Sequence, residues 1–182
     1  MMDQEADIAA KEQKLSFPSK NSHRSWMKHA LRLAENAFSE GEVPVGAIVV
    51  KEGRIIGRGY NQRERLNDPT AHAEIIAITA ASGTLNDWRL EGCSLYVTKE
   101  PCSMCAGAII NSRISELIFG AYDEKKGCCG SLYQLCGDKR LDSRTAVKGG
   151  VESRNALRSC RSFSSPSVTD TLVQLIHYPL DG

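Results

Sequence analysis

The chain has 182 residues, about one domain, with 41% hydrophobic and 25% charged residues, the composition of an ordinary soluble globular protein. Twenty-three Lys and Arg against 22 Asp and Glu leave a formal net charge of +1, which excludes a global attraction to nucleic acid and confines any such surface to a local patch. No stretch approaches the roughly 18 apolar residues of a membrane span, the N-terminus lacks the apolar core of a secretory signal, and Asp3, Glu5 and Asp7 argue against a transit peptide.

Residues 1–22 are polar and aperiodic and are expected to form a flexible tail. From His23 the pattern changes. Trp26, Ala30, Leu33, Ala34, Ala37 and Phe38 recur at spacings of three and four, an amphipathic helix that Gly41 ends. Val43 to Val50 is a nearly continuous apolar run, predicted to be a buried strand. Lys51 to Arg54 reads as a hairpin turn and Ile55 to Tyr60 as a second strand. Asp68-Pro69-Thr70 is a stop-and-cap signal for a helix that carries His72 and Glu74, continues through Ile75, Ile76 and Ile78, and stops near Ser82 at Gly83. Ser94 to Val97 is a short strand leading to a helix that begins after Pro101, carries Cys102 and Cys105, and ends near Asn111-Ser112. Ile114 to Gly120 is a further strand. The order helix, strand, strand, helix, strand, helix, strand predicts an α/β fold with a mixed sheet and helices on its faces.

Beyond residue 121 the pattern loosens. Tyr122 to Ser131, with Cys128 and Cys129, reads as a loop. Asp138 to Arg161 holds seven Lys/Arg against three Asp/Glu, a local positive excess that is either an RNA contact or a solvated surface. The domain is expected over 23–161, with 162–182 as an atypical C-terminal extension. Seven cysteines without an export signal predict a reduced, cytoplasmic setting with no disulfide framework.

The chemistry concentrates in two segments, T-A-H-A-E-I (Thr70 to Ile75) and T-K-E-P-C-S-M-C-A-G-A (Thr98 to Ala108). His72, Cys102 and Cys105 offer three ligands to a zinc ion, and three protein ligands leave a coordination position open, the arrangement of a catalytic site. Glu74, two residues from the His, can handle protons. Cys102 and Cys105 are three apart, so one turn of helix brings both sulfurs to one side. A helix N-terminus favours the thiolate, which is the form that binds metal. Each half alone is weak: Cys-x-x-Cys also serves redox pairs and structural zinc sites, for which Cys93, Cys128, Cys129 and Cys136 are candidate fourth ligands. The joint pattern, His-x-Glu then Pro-Cys-x-x-Cys, is the signature of zinc enzymes that deaminate nucleobases.

The stretch from Trp26 to Ser131 resembles the tRNA-specific adenosine deaminases of the cytidine deaminase-like superfamily. The resemblance rests on E-V-P-V-G-A (Glu42 to Ala47), G-x-G-x-N (Gly57 to Asn61), D-P-T-A-H-A-E (Asp68 to Glu74), L-Y-V-T-K-E-P-C-S-M-C-A-G-A-I (Leu95 to Ile109), and S-R-I with F-G-A-Y-D (Ser112 to Asp123). It implies a three-layer αβα sandwich around a five-stranded mixed sheet. It further implies a homodimer that converts adenosine to inosine at the wobble position of a tRNA anticodon stem-loop. One Zn2+ per chain would be held by His72, Cys102 and Cys105, with Glu74 as the catalytic proton shuttle. Asn61 matches the family's nucleoside-binding Asn. Pro44, Val45 and Ala47 match a pocket wall, and Ala73, Glu100 and Pro101 stand beside the substrate. Lys99 stands where the family often has Leu. The C-terminus departs from the family pattern, with one Phe163 in place of a pair. Two rivals share the zinc core: deamination of a free base or nucleotide, and an inactive deaminase-like subunit that binds RNA or a catalytic partner.

Overall fold

The computed structural model describes residues 20–156. The expected tail up to residue 19, the end of the expected domain from 157, and the extension over 162–182 lie outside them. The first helix, α1 (Lys20–Ser39), begins three residues before the predicted start. Its buried stripe is His23, Met27, Ala30, Ala34 and Ala37, while Phe38 is 46% exposed. The periodicity is as read, with the stripe rotated away from Phe38.

Strand β1 (Gly46–Lys51) starts three residues later than the apolar run predicts. Pro44 has no N–H for a ladder, and the Val45 N–H turns back to the Val43 carbonyl at 2.7 Å. A turn at Glu52-Gly53, both left-handed, leads into β2 (Arg54–Tyr60). A short helix α2 (Arg63–Leu66) precedes α3 (Ala73–Leu85). Then come β3 (Ser94–Lys99), α4 (Ser103–Asn111), β4 (Glu116–Ala121), two 3-10 turns and β5 (Ala146–Lys148). The sheet order is β2-β1-β3-β4-β5; β1 is antiparallel to both its neighbours, and β3, β4 and β5 are parallel. The five-stranded mixed sheet is as expected; the strand pattern alone did not reveal β5 or α2.

Successive residues of the central strands face opposite layers. Ala47, Val49, Leu95, Val97, Leu117 and Phe119 pack with Ala73 and Ala77 of α3 and Ala106 and Ile109 of α4. Ile48, Val50, Tyr96 and Ile118 pack with Met27 and Ala30 of α1. Burial on both faces is why these strands read as continuous apolar runs.

Two details set where α3 lies. A Cβ on Gly57 or Gly59 of β2 would sit 2.3 Å from the carbonyl of Ala77 or Ala73, so the helix backbone rests directly on the strand. The helix also runs through Gly83, the predicted stop, and ends at Leu85. Asn86 takes the left-handed conformation (φ 52°) that a C-terminal glycine often supplies.

Candidate active site

The connections β2–α3 and β3–α4 bring two helix starts to the same end of the sheet. In the first, the Asp68 carboxylate accepts the Thr70 N–H and hydroxyl, both at 2.7 Å. This tight turn delivers His72 in extended backbone (φ −79°, ψ 152°) as the N-cap of α3. In the second, Cys102 is the extended N-cap of α4 (φ −75°, ψ 178°), with Cys105 in the first turn. The His72 ring and the Cys102 sulfur meet in the space between the two helix starts.

His72 Nδ1 lies 3.8 Å from Cys102 Sγ and 3.5 Å from Cys105 Sγ. The three ligand atoms lie within 4.8 Å of one another, and they form the only His/Cys/Asp/Glu group able to hold a metal ion found among the described residues. Tetrahedral zinc with ordinary Zn–S and Zn–N lengths requires S···N separations of about 3.6 Å, so the donor set and its spacing fit that ion. No fourth Cys or His joins the group among the described residues, which removes the main support for a closed structural site. Cys129 and Cys136 instead face each other, Sγ to Sγ, at 3.5 Å, and Cys93 lies in the core. Cys160 lies outside the described residues.

The electrostatics suit metal capture. A hydrogen bond from the Cys105 thiol, reinforced by His72, outweighs burial and holds Cys102 down to about 3. Cys105 is pushed up, first by that same bond and then by burial. The bond to Cys102 raises His72. Cys102 is thereby biased toward the thiolate, the form that binds metal, and a cation entering the site would displace the proton of Cys105. Glu74, in the first turn of α3, is 4% exposed, and loss of hydration raises its affinity for a proton.

The cleft above these groups is walled by Val43, Val45 and Asn61, with Arg63, Lys99, Asp123 and Lys126 at its mouth. Asn61 is buried, and its Nδ2 donates to the Glu42 carboxylate at 3.3 Å. Glu42 is itself buried and accepts the Arg65 N–H at 2.9 Å. Of the residues expected beside the substrate, Val45, Asn61 and Glu100 line the cleft. Pro44, Ala47, Ala73 and Pro101 are buried and do not line it. Arg63, Asp123 and Lys126 were not anticipated, and their charge is indistinguishable in sequence from a solvated surface. Among the described residues, no Lys or Arg after Asp138 lines this cleft. Arg140 is engaged by Asp138 at 2.6 Å, and Arg144 lines a separate groove with Glu91 and Arg113. Arg158 and Arg161 lie outside the described residues.

Residues 21–148 match the family model of MafB19-like deaminases. The chain is 47% identical over 126 residues to a tRNA-specific adenosine deaminase of Bacillus subtilis (strain 168), covering 69% of this chain and 78% of that protein. It is 52% identical over 119 residues to the protein of that description from Aquifex aeolicus (strain VF5), covering 65% and 79%. Among solved structures, one from work on A-to-I editing by tRNA:A34 deaminases superposes with a TM-score of 0.71 at 40% identity, over 74% of this chain and 98% of that one. A guanine deaminase from Nitrosomonas europaea superposes with a TM-score of 0.67 at 26% identity, over 77% and 83%. The ligand triad, the buried carboxylate beside it and these likenesses agree, and the chain belongs to the tRNA-specific adenosine deaminase family.

Proposed function

We propose that the protein hydrolytically deaminates adenosine to inosine at the wobble position of a tRNA anticodon, using one Zn2+ per chain. The observation that carries this is the convergence of His72, Cys102, Cys105 and buried Glu74 in one cleft, in a chain 47% identical to a tRNA-specific adenosine deaminase. Zinc held by the triad supplies Lewis-acid activation of water at neutral pH. Glu74 takes the proton that the attacking water gives up. It delivers that proton to the ring nitrogen beside the amino-bearing carbon, then assists the departing amine. Burial is what lets a carboxylate retain a proton long enough to pass it on. Asn61, held by Glu42, orients the nucleoside; Val45 walls the base, with Ala47 and Ala73 in the same buried cluster and Pro44 and Pro101 buried beside the cleft residues that follow them in sequence, Val45 and Cys102. An adenine stacked in a duplex cannot reach a cleft of this kind, so the substrate base is splayed from a loop. Arg63 and Lys126, beside the Lys99–Asp123 ion pair, leave a positive excess along the cleft that favours a polyanionic substrate. The enzyme is read as a cytoplasmic homodimer that works on tRNA; no helix among the described residues is long and apolar enough to cross a membrane.

The test is a panel of anticodon stem-loops with A at the wobble position, beside free adenosine, cytidine and guanine, scored for inosine and ammonia. Stem-loops should be deaminated and free adenosine left almost untouched. Comparable turnover of stem-loop and a free nucleoside or base would overturn the RNA assignment and promote free-base deamination, the chemistry of the guanine deaminase that shares the fold.

A further inference from the structure

Glu100, between β3 and the Cys102 turn, is 4% exposed and is not spent on the metal ligands. Its Oε1 accepts the N–H of Cys129 at 3.0 Å and of Ser131 at 2.8 Å. Its Oε2 accepts the N–H of Asp123 at 3.0 Å and the Ser131 hydroxyl. These four donors outweigh burial and keep the carboxyl below its ordinary value. The loop lies flush on this group, because a Cβ on Gly127 would sit 2.3 Å from it. Neighbours of Glu100 complete the grip. Lys99 Nζ pairs with the Asp123 carboxylate at 2.7 Å, and the Pro101 carbonyl accepts the Cys128 N–H at 2.9 Å. Asp123 in turn accepts the N–H groups of Lys125 and Lys126 at 3.1 and 3.2 Å. The result is that the exposed Lys126 is set at the mouth of the cleft.

We propose that Glu100 is a positioning residue: by accepting four hydrogen bonds from the 123–131 loop, it fixes Lys126 where the ammonium meets an RNA phosphate flanking the target nucleotide. This rests on the tRNA reading above. An ionised carboxylate is an acceptor only, and all four partners are donors. A glutamine there would turn an NH2 toward two of them and release that side of the loop. Glu100 therefore acts on substrate binding and takes no part in the proton transfers assigned to Glu74.

The experiment measures kcat, KM and the salt dependence of KM on an anticodon stem-loop, with zinc content per chain, for wild type, Glu100→Gln, Lys126→Ala and the double variant. Removing one phosphate contact should raise KM roughly tenfold and reduce the slope of log KM on log salt by about 1, so Lys126→Ala should do both. Glu100→Gln should match it, with full zinc and kcat within about threefold. The double variant should be no worse than Glu100→Gln, because the two act through one contact. An unchanged salt slope in Glu100→Gln, or effects that multiply in the double variant, would overturn the proposal. If Glu100→Gln does not fold, Ser131→Ala, which removes one of the four donors, carries the test. It should raise KM and flatten the slope in part, and an unaltered slope counts against the proposal. Wild-type turnover of free adenosine as fast as stem-loop would instead sink the tRNA reading itself, so the two failures are distinguishable.

Discussion

At Glu74 a carboxylate with 4% exposure stands two residues from His72, the proposed metal ligand, where burial favours its protonated form and the proposed chemistry needs both forms. Replacing it tests the division of labour between holding the ion and moving protons. Glu74→Ala should retain one zinc per chain and a native circular dichroism spectrum while losing about 10²-fold or more in deamination, the scale of general acid–base catalysis. A loss under about tenfold would assign the protons to another group. Cys102→Ser should fail on the other count, with zinc content well below one per chain. These four residues were legible in the sequence because the two short segments together match the pattern of the zinc deaminases, although each half alone left other readings open. Arg63, Asp123 and Lys126 were not legible. They reach the cleft only through contacts such as those of Glu42 with Arg65 and Glu100 with the loop, made between segments more than 20 residues apart.

The seating of α3 on β2 has a direct consequence for stability. Gly59→Ala places a Cβ against the Ala73 carbonyl, a backbone atom that cannot swing aside, next to the turn carrying His72 and Glu74. Overpacking of this kind costs about 1–3 kcal/mol. The variant should melt lower and bind zinc more weakly. Gly83→Ala is the contrast: it sits inside α3, with nothing within 4 Å of its added Cβ. It should stabilise by about 0.5–1 kcal/mol through helix propensity and a less flexible unfolded chain. A denaturant titration of both variants reads the two signs. The same helix shows why its end was misplaced in sequence. Gly83 is the better left-handed former, but Asn86 takes that conformation, four residues before buried Leu90, whose N–H donates to the Ser112 carbonyl at 2.7 Å. Likewise β5 has three residues, two of them exposed, too short for an alternating pattern. The buried strands β1, β3 and β4 were found because both their faces are apolar.

For the molecule as a whole, the layer of α3 and α4 is the apolar side that remains only partly covered. Met104, Gly107, Ala108 and Ile110 of α4 are half-buried in a single chain. A helix so poor in polar residues predicts a homodimer. Sedimentation at micromolar concentration should give about twice the chain mass of 19.9 kDa, and a clean monomer would refute it. The family and its five-stranded sheet were legible from motif strings spread over more than half the chain. The association surface was legible only as a composition, since nothing in one chain's sequence says which apolar stripe meets a neighbour.

His72 and Cys102 are separated by 30 positions in sequence, yet their ligand atoms stand 3.8 Å apart. An ion joining them is therefore a cross-link that closes a loop spanning α3 and β3, removing conformations from the unfolded chain without touching the core. Folding and metal supply become one linked equilibrium. Above the dissociation constant, each tenfold rise in free zinc should add about 1.4 kcal/mol to stability, as long as the unfolded chain binds weakly. Melting curves in buffers of graded free zinc should shift accordingly. If zinc joins the two segments, metal-depleted protein should be degraded faster than zinc-loaded protein, because more of it is unfolded at any moment.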